Sequence, residues 1–79
     1  MGARRFLDIT AEVCPMTFVR TKLMIEAMAS GEEAEVRLNA GEPLRNVPRA
    51  VIDSGHAVLS LAPESGDAQG IHRLVLRKR

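Results

Sequence analysis

Residues 14–31 read CPMTFVRTKLMIEAMASG, and this stretch decides how the rest of the chain is arranged. Beyond Pro15 it contains no proline or glycine until Gly31, and it is rich in residues that favour helices. Pro15 suits the first position of a helix, where no backbone donor is needed, and Gly31 suits the position just past a helix end. We therefore predict a helix from Pro15 to Ser30, with Cys14 at its start.

Short segments on both sides of this helix alternate between apolar and polar residues, a period that is typical of strands with one buried face. These segments are residues 6–10, 34–39, 57–62 and 71–78. A second helix is predicted from Leu44 to Ser54, followed by Gly55. Its alternative start lies near Asn46, because Pro48 is tolerated only close to the first turn of a helix.

The predicted order of elements is β-α-β-α-β-β, which favours an α/β fold. Two helices with apolar faces can share one face of a four-stranded sheet, so we predict a two-layer sandwich. The turn-rich residues 63–69 predict an antiparallel hairpin between the last two strands, and the first helix is compatible with a parallel crossover. With 79 residues there is room for one core, so residues 1–79 are expected to form one domain.

Composition narrows the class of protein. The hydrophobic fraction of 46% and the charged fraction of 27% are typical of a globular domain, not of a disordered chain. The apolar stretches are far shorter than the roughly 20 residues that span a bilayer, and the first residues lack the pattern of a signal peptide. A single cysteine excludes an internal disulfide, and the net charge of +1 gives little attraction for polyanions. We expect a cytoplasmic protein.

The first predicted helix has two apolar faces. One carries Phe18, Thr21, Ile25 and Met28, and the other carries Met16, Val19, Leu23 and Ala27. Only one face can fully enter the core of a two-layer sandwich. The second would leave an apolar strip near Cys14, where Met16, Val19 and Leu23 could dock a partner protein. The alternative is that the helix buries both faces.

Cys14 lies where unpaired backbone N–H groups and the positive end of a helix dipole favour a thiolate. A lone cysteine can also be a small buried hydrophobe. No local spacing ties His56 or His72 to Cys14, so a Cys–His dyad is not predicted, and both imidazoles are expected to be partly exposed. Zinc sites need four Cys or His ligands and this chain has three such residues, so no metal or other cofactor is predicted. What remains is a thiol that exchanges sulfur with other proteins, for example as a persulfide.

A motif runs through this region and into the second helix. Its residues are Leu7, Asp8, Ala11, Cys14, Pro15, Met16, Thr17, Thr21, Lys22 and Leu23, followed by the segment 41–48. This pattern resembles the signature of the TusA-like, or SirA-like, sulfur-carrier family, which has Leu-Asp, a glycine, Cys-Pro-x-Pro and a helical Thr/Ala-Lys. The sequence departs from that signature at Ala11, which replaces the glycine, and at Thr17, which replaces the second proline.

The resemblance implies a mixed four-stranded sheet and a persulfide on Cys14. The sulfur would come from a cysteine desulfurase or another sulfur donor and pass to an acceptor protein in tRNA thiolation, cofactor sulfuration or sulfur metabolism. Pro15 would brace the helix start, and Lys22 would be either a docking contact or a solvated cation. Thr17 lacks the rigidity of proline, which leaves the acceptor open. Such a protein is a sulfurtransferase-type carrier, and we expect a monomer that binds neither membranes nor nucleic acid directly.

Two other functions are compatible with the sequence. An RNA-binding module is one, because the predicted sandwich resembles the C-terminal domain of translation initiation factor three and both ends of the chain are basic. Two phenylalanines are the only aromatic residues, however, which leaves few surfaces for base stacking. The other is a regulatory adaptor that docks a partner through the apolar strip, with no role for the cysteine.

Overall fold

The computed structural model describes residues 4–13 and 15–79. Its elements are β1 (Arg5–Asp8), α1 (Met16–Glu26), β2 (Glu33–Leu38), α2 (Glu42–Asp53), β3 (Ala57–Pro63) and β4 (His72–Arg77). This order confirms the predicted β-α-β-α-β-β arrangement. Within the described ranges, neither helix has the length and hydropathy that a membrane crossing requires.

The four strands form one mixed sheet in the order β1-β2-β4-β3. Strands β1 and β2 are parallel, with Leu7 opposite Val36, and α1 is the crossover between them. Strand β4 pairs antiparallel with β2 on one side and with β3 on the other. The mixed sheet and the β3–β4 hairpin agree with the predictions. The position of β4 in the middle of the sheet could not be read from the pattern.

The core lies between the sheet and the two helices. In the central strands every second residue is fully buried: Ala34, Val36 and Leu38 in β2, and Leu74 and Leu76 in β4. Helix α1 contributes Ile25, and α2 contributes Val47 and Val51, to the same cluster. Full burial of such an aliphatic side chain stabilises the fold by about 1.5–3 kcal/mol. This cluster places both helices on one face of the sheet, as predicted.

The opposite face of the sheet carries charged side chains joined by ion pairs, which we call the sheet-face network. Arg73 lies 2.7 Å from both Glu35 and Glu64, and Arg37 lies 2.8 Å from Glu64. The guanidinium of Arg73 also lies 5.3 Å from the ring centroid of Phe6, within cation–π range. The full network comprises Arg4, Asp8, Glu33, Glu35, Arg37, Glu64, Arg73 and Arg77.

Helix α1 ends at Glu26 and does not reach the predicted Ser30. Its last turn tightens, because the Ala27 N–H bonds both the Leu23 and the Met24 carbonyl. The Ala29 N–H then donates to the Glu32 carboxylate at 2.9 Å, and the Gly31 N–H donates to the carbonyl of Lys78. The residues predicted as a final helical turn therefore form the connection to β2, with Gly31 at a φ of +86°.

Helix α2 begins at Glu42, earlier than the predicted Leu44 and the alternative Asn46. Its first backbone bond runs from the Arg45 N–H to the Gly41 carbonyl at 3.1 Å, with Pro43 in the first turn. Pro48 consequently lies inside the helix, where it cannot donate to the carbonyl of Leu44. Its ring is buried, and this apolar burial partly offsets the lost hydrogen bond.

Candidate functional site

Cys14 lies outside the described residues, so the site is built from its neighbours along the chain. Pro15 was predicted to be the first helical residue. It is instead the N-cap residue of α1, and the helix begins one residue later, at Met16. The Pro15 carbonyl accepts the first helical hydrogen bond, from the Val19 N–H at 3.0 Å. Cys14 therefore directly precedes the cap of an 11-residue helix, whose N-terminal end favours a negative charge.

The segment before Cys14 is anchored firmly at its beginning. Ile9 is fully buried, and its N–H donates to the Arg37 carbonyl at 2.9 Å. The Asp8 carboxylate accepts hydrogen bonds from the Thr10 hydroxyl at 2.6 Å and the Thr10 N–H at 2.9 Å, while the Thr10 carbonyl accepts from Asn39. These hydrogen bonds from Thr10, with a smaller contribution from Arg37, lower the pKa of Asp8.

The second half of the segment is fastened to α1. The Glu12 N–H bonds the Ile9 carbonyl at 3.1 Å, which closes a turn, and the Met16 N–H bonds the Val13 carbonyl at 2.7 Å. An ion pair joins the Glu12 carboxylate to the Arg20 guanidinium at 3.0 Å. The segment 9–13 is therefore tied both to the sheet and to the first turns of α1.

The surface on both sides of Cys14 along the chain is exposed and apolar. Val13 is 75% exposed, Met16 is 42% exposed, and Leu23 is 59% exposed one helical turn beyond half-buried Val19. We call Met16, Val19 and Leu23 the apolar strip. The structure confirms that this second apolar face of α1 stays outside the core. Its use in docking remains a prediction, and so does that of Lys22, which is exposed on the same helix.

The inner face of α1 differs from the prediction in one residue. Thr17, Thr21 and Ile25 are its buried residues, whereas Phe18, which was expected there, is 39% exposed. Thr17 is fully buried, and its carbonyl accepts a hydrogen bond from the Thr21 hydroxyl at 2.8 Å. At about 100° per residue, a face centred on Thr17 and Thr21 leaves Phe18 at the border. Thr17, one of the two residues that depart from the family signature, is therefore buried on the inner face of α1.

Phe18 lines a groove between α1 and α2, with a volume of about 100 Å³. Ile25 and Val51 contribute apolar side chains, and Lys22 and His56 also line it. Sequence reasoning missed this groove, because the pairing of two helices is not encoded in the period of either one. The sequence pattern placed Phe18 on the same face as Thr21 and Ile25, and therefore contained no signal for the groove.

The two histidines lie apart. His56 precedes β3, and its Nδ1 accepts the Arg79 N–H at 3.1 Å. His72 was expected to be partly exposed, but only 6% of it is, and its Nδ1 lies 3.0 Å from the Gly70 carbonyl. The inward register of His72, opposite Leu38, explains this burial.

Fold and site together define a class of small α/β sandwiches in which a Cys-Pro pair introduces the first helix. The sequence model described as sulfurtransferase TusA matches residues 5–78. The chain therefore belongs to the TusA sulfurtransferase family.

Similar proteins agree with this assignment. A relative from Archaeoglobus fulgidus, described as a proposed sulfur carrier protein, is 49% identical over 59 residues, covering 75% of this chain and 67% of the relative. A relative from Methanocaldococcus jannaschii with the same description is 33% identical, and the match covers 96% of each of the two chains. The crystal structure of a SirA-like protein from Desulfitobacterium hafniense superposes with a TM-score of 0.73 at 16% identity, covering 91% of this chain and 93% of that one. This last likeness shows the fold.

Proposed function

We propose that this protein is a sulfur carrier that holds sulfur as a persulfide on Cys14. The observation that carries the proposal is the position of the chain's only thiol, directly before the cap of α1 and between exposed Val13 and exposed Pro15. A thiol that must meet the thiols of other proteins needs exposed neighbours, and the helix end favours its reactive thiolate. Membership of the TusA family supports the same function.

Loading and delivery are both exchanges between sulfur atoms. In loading, the Cys14 thiolate attacks the outer sulfur of a persulfide on the donor. A sulfur–sulfur bond forms on Cys14, the one on the donor breaks, and the donor cysteine leaves as a thiolate. In delivery, an acceptor thiolate attacks the outer sulfur on Cys14, and the Cys14 thiolate leaves. The N-terminal end of α1 stabilises that leaving group.

The partners we propose are a cysteine desulfurase or another sulfur donor and a downstream acceptor protein. The apolar strip and Val13 offer both partners an exposed surface next to the reactive residue in the chain. tRNA thiolation, cofactor sulfuration and sulfur metabolism are the pathways such an acceptor could serve. The cytoplasm is the compartment we propose, because reducing conditions there keep a single thiol free.

Intact-mass measurement tests the proposal directly. The protein is incubated with a cysteine desulfurase and cysteine, and we expect wild type to gain one sulfur atom that a reducing agent removes. Cys14→Ser is the matched control and should gain none. Sulfur on the Cys14→Ser variant, or a wild-type chain that no donor loads, would contradict carriage by Cys14.

A regulatory adaptor remains the second candidate, because the exposed apolar strip also suits stable docking. The Cys14→Ser variant separates the two functions. In the Cys14→Ser variant, an adaptor without sulfur chemistry would bind its partner and act normally. A carrier with this substitution would take up no sulfur and transfer none.

A further inference from the structure

We propose that the ion pair between Glu12 and Arg20 positions the segment that carries Cys14 and thereby sets how fast Cys14 takes up sulfur. The inference rests on the proposed function. Glu12 precedes Cys14 by two residues, and Arg20 follows it by six on α1. Their 3.0 Å contact therefore joins the chain on one side of the cysteine to the helix on the other.

Two contacts tie this end of the segment to α1: the Met16 N–H bonds the Val13 carbonyl at 2.7 Å, and the Glu12 carboxylate pairs with Arg20. The hydrogen bonds of Asp8 and Asn39 reach only as far as Thr10. The side chains of Ala11 and Val13 are exposed. Of the three residues 11–13, Glu12 is the one whose side chain makes a polar contact with another described residue. Because Cys14 is bonded to Val13 and Pro15, whatever holds this end limits where Cys14 can lie.

The pair is poorly suited to a role in overall stability. The Arg20 side chain is 45% exposed and that of Glu12 is 29% exposed. Ion pairs in contact with solvent add little to the free energy of unfolding, because water screens the attraction and two long side chains must be ordered. Loss of this pair should therefore leave the fold intact and act locally.

The pair also balances two charges that lie close to Cys14 along the chain. With Arg20 removed, an unpaired carboxylate remains two residues from the thiol and should shift its reactivity to higher pH. With Glu12 removed, an unpaired guanidinium should shift the reactivity to lower pH. The charged or titratable residues Asp8, Lys22, Arg37 and His72 are the same in every variant compared.

Four variants test the proposal: Arg20→Gln, Glu12→Gln, the two together, and the exchange of Glu12→Arg with Arg20→Glu. Single-turnover loading from a desulfurase is followed by intact mass. We expect each single variant to load about two- to fivefold more slowly, the range set by the coupling of an exposed pair. The double variant should be no slower than either single one, and the exchange should recover most of the rate.

A second measurement follows the alkylation of Cys14 by iodoacetamide against pH. Arg20→Gln should move the profile to higher pH, Glu12→Gln to lower pH, and the double variant back towards wild type. A pair with a purely structural role would not give opposite shifts. Arg49→Gln, which removes an exposed arginine from α2, is the matched control and should leave rate and profile unchanged.

Loading at the wild-type rate in both single variants, or rate losses that simply add in the double variant, would overturn the proposal. Circular dichroism of each variant confirms that the fold is retained. Failure of the proposed function has a different signature, because wild type itself would then take up no sulfur. In that case the alkylation profiles alone test whether the ion pair affects the reactivity of Cys14. Profiles that coincide for wild type and the two single variants would contradict the proposal.

Discussion

Glu64 accepts hydrogen bonds from arginines on two neighbouring strands. Arg37 donates at 2.8 and 3.1 Å, and Arg73 donates at 2.7 Å. These bonds, those from Arg37 first, lower the pKa of Glu64 from 4.5 to about 2. Because the folded pKa lies below the unfolded one, the contribution to stability is present above about pH 4.5 and is lost as the pH falls towards 2.

We expect Glu64→Gln to flatten the acid side of the stability profile. Wild type should lose free energy of unfolding between pH 4.5 and 2, and the variant should lose less over the same interval, because glutamine has no proton to gain. Urea titrations at several pH values measure this difference. Glu26→Gln, an exposed change on α1, is the control and should follow wild type. Parallel profiles for Glu64→Gln and wild type would refute the assigned role.

The sequence predicted some residues of the site better than others. Pro15 and Gly31 mark a helix by their own backbone chemistry, so the helix start beside Cys14 could be predicted to within one residue. The burial of Thr17 could not, because a threonine beside apolar neighbours gives no sign of which side faces the sheet. The Glu12–Arg20 contact was also hidden, since the path of the loop decides it.

At the scale of elements, α1 presents one face to the core and the apolar strip to solvent. Leu23 is the strip residue with the greatest exposure, 59%, so its replacement should leave the core undisturbed. Substitutions at such exposed positions usually change the free energy of unfolding by less than about 0.5 kcal/mol. The strip is therefore open to a test that separates docking from folding.

We expect Leu23→Asp to weaken the complex with the sulfur donor by about tenfold or more, since a buried charge removes an apolar contact and needs desolvation. Isothermal titration calorimetry of the purified pair measures the affinity. Ile52→Asp, at a residue 58% exposed on α2, is a closely matched control and should bind normally. An equal loss in both variants would point to general repulsion, and no loss in Leu23→Asp would exclude the strip.

Element types were predictable, but element ends were not. All four strands came from their period of two, because the alternation of Ala34, Val36 and Leu38 reports a single buried face. The predicted end of α1 was wrong because the carboxylate of Glu32, which lies outside the helix, accepts a hydrogen bond from the Ala29 N–H. The start of α2 was wrong because the rule against interior proline ignores the burial that retains Pro48.

Across the whole molecule, the open face of the sheet balances its own charges. The sheet-face network joins four arginines to four carboxylates, so the guanidinium groups of Arg37 and Arg73 are already occupied. Phe6, one of two aromatic residues in the chain, lies against Arg73. An RNA-binding sheet needs cations and aromatic rings that are available to phosphates and bases. This arrangement argues against the RNA-binding alternative.

We expect wild type to bind single-stranded RNA weakly, and Glu35→Gln combined with Glu64→Gln to bind it better. Arg73 would lose both of its carboxylate partners, and Arg37 would lose Glu64 and keep Asp8. The released guanidinium groups could contact phosphates, adding about one to two to the salt slope of the binding constant. Fluorescence anisotropy with a labelled oligonucleotide measures both quantities.

A matched control for the RNA experiment combines Glu26→Gln with Glu42→Gln, which adds the same charge on the helix side of the molecule. If the gain depends on arginines released from the sheet-face network, this control should bind as weakly as wild type. Equal gains in both double variants would show that net charge alone is responsible. Tight binding by wild type would revive the RNA-binding function.

The long-range arrangement was the least predictable part of the fold. Strand order depends on which strand pairs with β2. Strands β3 and β4 alternate equally well between apolar and polar residues, so the sequence pattern does not distinguish them as partners. The sheet-face network followed from that choice, because only the register of Glu35 opposite Val75 brings Glu35 close to Arg73. The family resemblance supplied the mixed sheet, which periodicity left open.

The central place of β4 separates the order of synthesis from the order of assembly. A ribosome makes β1, α1, β2 and α2 first, yet β2 then has only the four residue pairs of β1 as a sheet partner. Two-stranded pairs are marginal in water, so the nascent chain should stay open until His72–Arg77 emerges and joins β2 to β3. The complete sheet should then form in a single cooperative step. A chain truncated before β4 should stay unfolded and be degraded by proteases.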